Sequence, residues 1–151
     1  LAGGKQGWLP VECLRGLQDL PQESDQRRAQ IVKDAFRMIG VPYLWGGSSA
    51  NGIDCSGFAQ LLHRWIGINL PRDADMQYAA GKPVEPPFMP GDLLFFGEAG
   101  EQRRITHVTI SLGEWNIIHS SRRNNGVYTD NVQAVPGLRD SFLCAATYIG
   151  R

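Results

Sequence analysis

The sequence is short of several things whose absence narrows the possibilities. It has no apolar run approaching the roughly 20 residues of a membrane-spanning helix. It has no excess of either charge, with 15 Lys and Arg against 15 Asp and Glu scattered along the chain, so it gives no electrostatic reason to attract nucleic acid or an anionic membrane surface. Cysteine is scarce and odd in number: Cys13, Cys55 and Cys144 lie far apart, unlike the closely spaced, even-numbered sets of small secreted disulfide scaffolds. No Cys-x-x-Cys pair suggests structural zinc. There is no internal repeat and no low-complexity tract.

What is present is ordinary globular composition, 42 % apolar and 20 % charged over 151 residues, which suits one hydrophobic core. The chain opens Leu1-Ala2-Gly3-Gly4, with neither an initiating methionine nor a basic segment leading into an apolar one. The expectation is a chain from which a targeting segment has been removed, or a piece of a longer protein, and its compartment stays open.

Gly7–Val11 reads as a short strand and Leu20–Ser24 as a linker, with Ser24 or Asp25 available to cap a helix. Ile31, Val32, Ala35, Phe36 and Ile39 recur at helical spacing over 25–39, and Gly40 and Pro42 end that helix. A glycine-rich loop over 41–52 leads to a second helix beginning near Asp54, in which Phe58, Leu61, Leu62, Trp65 and Ile66 form the apolar face. His63 falls on its polar side, where solvent exposure is expected. A further short helix is expected within 72–81. Strands come after it at Leu93–Phe96, Ile105–Leu112, Trp115–Ser120, Val127–Thr129 and Phe142–Ile149. Along the second of these, Ile105, His107, Thr109 and Ser111 are expected to face away from Val108 and Ile110. Helices first and strands afterwards predict an α+β fold on an antiparallel sheet.

Cys55 is expected in the first helical turn, where unpaired N–H groups and the macrodipole favour a thiolate and could hold an oxyanion. A buried structural thiol is the plainer alternative there. That plainer role suits Cys144, inside an apolar strand, and Cys13 receives no function. A thiolate nucleophile needs a base and a group that orients the base. A hairpin centred on Gly113 puts His107 opposite His119 on one face, with Cβ atoms about 5 Å apart. Cys55, His107 and His119 would then form a nucleophilic set, while a metal site lacks the usual close ligand spacing.

Five ordered blocks, Tyr43-x-Trp45-Gly46-Gly47, Gly52-x-Asp54-Cys55-Ser56-Gly57-Phe58, Leu70-Pro71-Arg72-Asp73, Pro90-Gly91-Asp92-Leu93 and Thr106-His107-Val108, resemble the successive motifs of NlpC/P60 peptidases. The resemblance implies a papain-like α+β fold, a helix bearing the nucleophile packed on an antiparallel sheet. It implies Cys55 as nucleophile, His107 as base, His119 as the orienting residue and Tyr43 as an oxyanion donor. It further suggests that Asp54 and Ser56 recognise a substrate's free amine and that Trp45 lines the same subsite. Arg72 is taken as structural; Ala74 departs from relatives with a hydroxyl at that place. No cofactor is implied.

The expected activity is hydrolysis of the γ-D-glutamyl–diamino acid bond in peptidoglycan-derived peptides. A thiol amidase or acyltransferase on the same scaffold and an inert wall-binding module are the alternatives. Gly7-Trp8-Leu9-Pro10 resembles the closing strand of a bacterial SH3-like domain, so 1–20 is expected to be an N-terminal strap left from such a domain and 21–151 the catalytic domain.

Overall fold

The computed structural model describes residues 4, 6–11, 14–100 and 104–150. Cys13 lies outside them. The expected strand at Gly7–Val11 does not form. Trp8 is fully exposed at 100 %, and a strand with no partner leaves its backbone groups to solvent.

Helix α1 spans Ser24–Phe36, three residues shorter than its apolar periodicity. Tight turns from Met38 N–H to Ala35 and from Ile39 N–H to Phe36 unwind it before Gly40, whose φ is 86°. Two-residue strands β1 (Ser48–Ser49) and β2 (Gly52–Ile53) make a small hairpin that periodicity could not reveal. Helix α2 runs from Cys55 to Trp65 and α3 from Ala74 to Ala80. Then come β3 (Lys82–Val84), β4 (Leu93–Glu98), β5 (Arg104–Gly113), β6 (Asn116–Ser121) and β7 (Gly126–Asn131). A short helix α4 (Pro136–Ser141) precedes β8 (Phe142–Thr147).

The six longer-range strands form one antiparallel sheet in the order β3-β8-β4-β5-β6-β7. Strands β4 to β7 follow one another as a meander, and β8 returns to sit between β3 and β4. Helices first, sheet second is the expected α+β plan.

Both faces of the sheet are covered. Leu93 and Phe95 join Ile31, Phe58 and Leu62 in a cluster between helices and sheet, whereas Leu94 and Phe96 join Phe88 and Ile117 in a cluster on the opposite face. That explains why the β4 run is continuously apolar instead of alternating. The wholly buried Arg28–Asp92 pair, 3.0 Å apart, ties α1 to the turn before β4, and the Arg28 fork also donates to the carbonyls of Pro90 and Ile149. Gly91 in that turn has φ 88°, and a Cβ there would come within 2.9 Å of the Ile149 side chain.

Helix α2 is enclosed on more sides than a half-buried helix, and this corrects the expectation for His63. Its side chain is fully buried at 0 % exposure, its Nδ1 lies 2.8 Å from the Ala59 carbonyl, and its ring meets Tyr148 edge-on. Nε2 has no partner. A polar position on a helical wheel reports solvent only when nothing packs there, and here Tyr148, which follows β8, does.

Candidate functional site

The loop over 41–47 is held as a strap across the start of α2. Pro42 bridges to Gly126, the first residue of β7, and Tyr43 to Ile53 of β2, with Tyr43 N–H donating to the Asn125 carbonyl and Leu44 N–H to that of Ile53. Ser120 Oγ donates 2.7 Å to the Ile53 carbonyl, tying β6 to the same corner. The strap's Gly47 carbonyl then accepts from Asp54 N–H. A Cβ on Gly57 would collide with that carbonyl, so the glycine of the Asp-Cys-Ser-Gly-Phe block permits a close approach of backbone to helix.

Asp54 caps α2. Its Oδ1 accepts from Gly57 N–H at 2.7 Å and its Oδ2 from Gly46 N–H at 2.8 Å. Arg72 closes a fork on the same carboxylate, at 3.0 Å to Oδ1 and 2.6 Å to Oδ2, and donates to Ser56 Oγ at 2.8 Å. Arg72 therefore pairs with Asp54 and not with its neighbour Asp73. Asp54 keeps only 6 % of its surface exposed, and its charge is matched by a guanidinium.

Cys55 is the first residue of α2 and half-buried. The backbone N–H groups of Val108, Ser56 and Cys55 itself are directed at its sulfur and favour the thiolate. Burial nevertheless outweighs them, and with the nearby Asp54 charge it pushes the thiol above its ordinary range. The expected depression by the helix start is thus overridden by desolvation.

Cys55 shares an open groove of about 740 Å³ with Trp45, Asp54, Ser56, Arg72, Arg104 and Thr106. Trp45 is 74 % exposed, so it is a wall of the groove and no part of the core. The Arg122 guanidinium lies 5.2 Å above its ring and 5.5 Å above that of Tyr43, whose hydroxyl it hydrogen-bonds. Tyr43 is close enough to Cys55 for the thiolate's charge to raise its hydroxyl, though burial raises it more.

Behind the groove wall, His107 Nε2 lies 2.8 Å from His119 Nδ1, with the rings edge-to-face. His119 is 2 % exposed, and its Nε2 lies 3.3 Å from Asp130 Oδ2 on β7. Burial first, then the neighbouring His119, lowers the His107 pKa to about 3; burial and then Arg123 lower that of His119 to about 4. Both rings are neutral at pH 7, so the contact with Asp130 is a hydrogen bond from a neutral imidazole. Val108, whose N–H meets the thiol, and Thr106, which lines the groove with it, flank His107 on β5.

The two histidines meet by a different register from the expected one. The β5–β6 ladder pairs Ile110 with Ile118 and Ser111 with Ile117, two residues out from a hairpin centred on Gly113. Continued, it sets His119 opposite Thr109, with His107 one diagonal away. A shift of two preserves the face, and imidazoles are long enough to close the diagonal. A second irregularity, between Phe96 and Gly97, changes the phase of β5 below His107. Ile105 consequently packs against the helix-side cluster with Val108 and Ile110, contrary to simple alternation.

Two polar partners escaped the sequence reading. Asp130 lies one residue beyond the expected end of its strand, and β6–β7 pairing of His119 with Tyr128 gives it the face of His119. Arg122, in the β6–β7 turn, carries no periodic signal at all.

The NlpC/P60 family model matches residues 40–143. The chain belongs to the NlpC/P60 family. It is 29 % identical over 153 residues to a gamma-D-glutamyl-L-lysine dipeptidyl-peptidase of Bacillus cereus, covering 99 % of this chain and 45 % of that relative. It is 31 % identical over 134 residues to the peptidoglycan endopeptidase RipB of Mycobacterium tuberculosis, covering 79 % of this chain and 54 % of RipB. Among solved structures, an NlpC/P60 protein of Bacillus cereus superposes with a TM-score of 0.78 at 30 % identity, over 91 % of this chain and 44 % of that one. RipB superposes with a TM-score of 0.72 at 28 % identity, over 98 % and 76 %. The α+β fold expected from the motifs is therefore that of NlpC/P60 domains, a cysteine peptidase family. The chain spans about half the length of these sequence relatives.

Proposed function

We propose that this NlpC/P60 domain is a cysteine endopeptidase that hydrolyses the γ-D-glutamyl–diamino acid bond of peptidoglycan stem peptides. One observation carries the reading: a groove-lining thiol at a helix start lies against the strand that bears a neutral, hydrogen-bonded histidine pair. The named activities of the relatives, a γ-glutamyl dipeptidyl-peptidase and a peptidoglycan endopeptidase, support the substrate class.

Since both partners are neutral at rest, His107 acts as a general base and not as half of a standing ion pair. It takes the Cys55 proton as sulfur attacks the γ-carbonyl, and its low basicity makes it a strong acid once protonated. The Cys55 N–H and the Tyr43 hydroxyl hold the oxyanion. The imidazolium then protonates the leaving amine, and water, activated by the same ring, hydrolyses the thioester. His119 keeps that ring in place. No step calls for a metal or a cofactor.

Trp45, Asp54 and Ser56 form the subsite for the substrate's N-terminal side, where a free L-Ala amine would sit. Because Arg72 compensates the Asp54 charge, discrimination rests on oxygen acceptors lining the wall more than on a bare anion. Residues 21–151 are the catalytic domain, and 1–20 the tail of an SH3-like domain. Exposed Trp8, Leu9 and Val11 support the second assignment, as surface that a preceding domain would cover.

Mass spectrometry of L-Ala-γ-D-Glu-diaminopimelate and its L-lysine counterpart, incubated with the protein and with Cys55→Ala, tests the proposal. Release of the free diamino acid by the unaltered protein alone is expected. Equal release by both, or hydrolysis elsewhere in the peptide, overturns it.

A further inference from the structure

We propose that Asp130 is a positioning residue that sets the tautomers of both histidines and so leaves the free lone pair of His107 on Nδ1. A neutral imidazole has one N–H and one lone pair. Asp130, as a carboxylate, only accepts, so His119 must present Nε2–H to it across 3.3 Å. His119 Nδ1 is then a lone pair, and the 2.8 Å contact exists as a hydrogen bond only if His107 donates from Nε2. His107 Nδ1 is thereby left as the basic nitrogen. Without Asp130, the opposite arrangement, His119 donating from Nδ1 to His107 Nε2, satisfies the same contact and leaves His107 Nδ1 protonated, unable to accept from a thiol. The carboxylate at the end of the chain of rings selects between the two arrangements.

Burial makes this selection matter. His119 is almost wholly enclosed, and water has little access to redistribute its protons. The other groups facing this end are Arg123, whose charge acts on both His119 and Asp130, and the Tyr128 ring, 4.6 Å from that of His119. Neither is an acceptor that could replace Asp130 at Nε2: Arg123 only donates, and Tyr128 presents its ring, its buried hydroxyl having no hydrogen-bond partner among the described residues.

The inference rests on His107 being the base of the proposed peptidase, but its test does not need a substrate. With only three histidines in the chain, long-range proton–nitrogen NMR at pH 7 resolves the tautomer of each ring. His63, held through Nδ1 on the Ala59 carbonyl, is an internal standard of the other tautomer and of intact folding. In the wild type, His107 and His119 are expected as Nε2–H tautomers. In Asp130→Ala, with the His63 signal unchanged, both are expected to shift substantially toward Nδ1–H, and Asp130→Glu is expected to restore the wild-type pattern.

On the peptide assay the Asp130→Ala loss should fall on kcat with KM nearly unchanged. It should be about 10- to 100-fold, below the roughly 10⁴-fold seen when a carboxylate in direct contact with a catalytic histidine is neutralised. A wild-type His119 carrying its proton on Nδ1, or tautomers unmoved in a folded Asp130→Ala, overturns the proposal. Should Asp130→Ala not fold, the wild-type spectrum and Asp130→Leu, which likewise has no acceptor, decide it in the same way. Absence of peptide cleavage by the wild type would refute the peptidase reading and leave the tautomer result standing.

Discussion

Replacing Arg72 with methionine removes a guanidinium that holds both oxygens of Asp54 and the hydroxyl of Ser56, while keeping much of its apolar stem. Asp54 is 6 % exposed, so the variant strands a buried carboxylate with two backbone donors and a weak contact from Ser56 at 3.4 Å. Breaking a fully buried pair costs about 3–5 kcal/mol, and an exposed one contributes about 0.2–1 kcal/mol. The Arg72 side chain is 34 % exposed, which screens the interaction, and the surviving N–H bonds lower the cost further, so about 2 kcal/mol is expected. For a chain of this size that lowers the melting temperature by roughly 4–8 °C.

A double-mutant cycle of Arg72→Met with Asp54→Asn isolates the pairwise part. Calorimetry should return a coupling of at least about 1 kcal/mol. The same substitution uncovers the Asp54 charge beside Cys55, which already raises the thiol. Iodoacetamide labelling at fixed pH should slow about threefold for each half-unit rise in pKa. A loss of stability under about 0.5 kcal/mol with no coupling, and labelling no slower than in the wild type, would refute the view of Arg72 as the clamp on this corner.

His63 is neutral and buried, with its pKa lowered from 6.5 to about 4, so the unfolded chain binds its proton first as pH falls. Stability is therefore lost from pH 6.5 downward, by an amount on the order of 3 kcal/mol at pH 4 from this residue. His63→Phe should flatten the acid side of urea-melt stability between pH 7 and 5, and an unchanged slope contradicts the assignment. Gly57→Ala forces a Cβ into the Gly47 carbonyl and should cost about 3 kcal/mol, measured by chemical denaturation; a near-neutral effect would mean that the strap yields. Because His107 stays neutral down to about pH 3, peptide cleavage should show no loss between pH 7 and 5 from this group, whereas an inflection near 6.5 would place the base in a solvated setting.

What the chain's own pattern determined is local. Apolar residues at helical spacing over 58–66, a capping Asp54 and the glycines before it define a helix with Cys55 at its start, because capping and amphipathicity are short-range properties. The parity of His107 and His119 also survived, since a two-residue register shift leaves side chains on the same face. Everything that depends on what packs against what was settled by tertiary structure. His63 lies on a polar arc of its helix yet is enclosed by Tyr148, which comes from beyond the last strand. Helix placement favours a Cys55 thiolate, but desolvation by the enclosing elements wins. Arg72 reaches Asp54, and Asp130 reaches His119, only because loop and strand return to the same corner. Spacing along the chain registers a periodic face; the burial, charge and register that tune a reactive group come from segments distant in sequence.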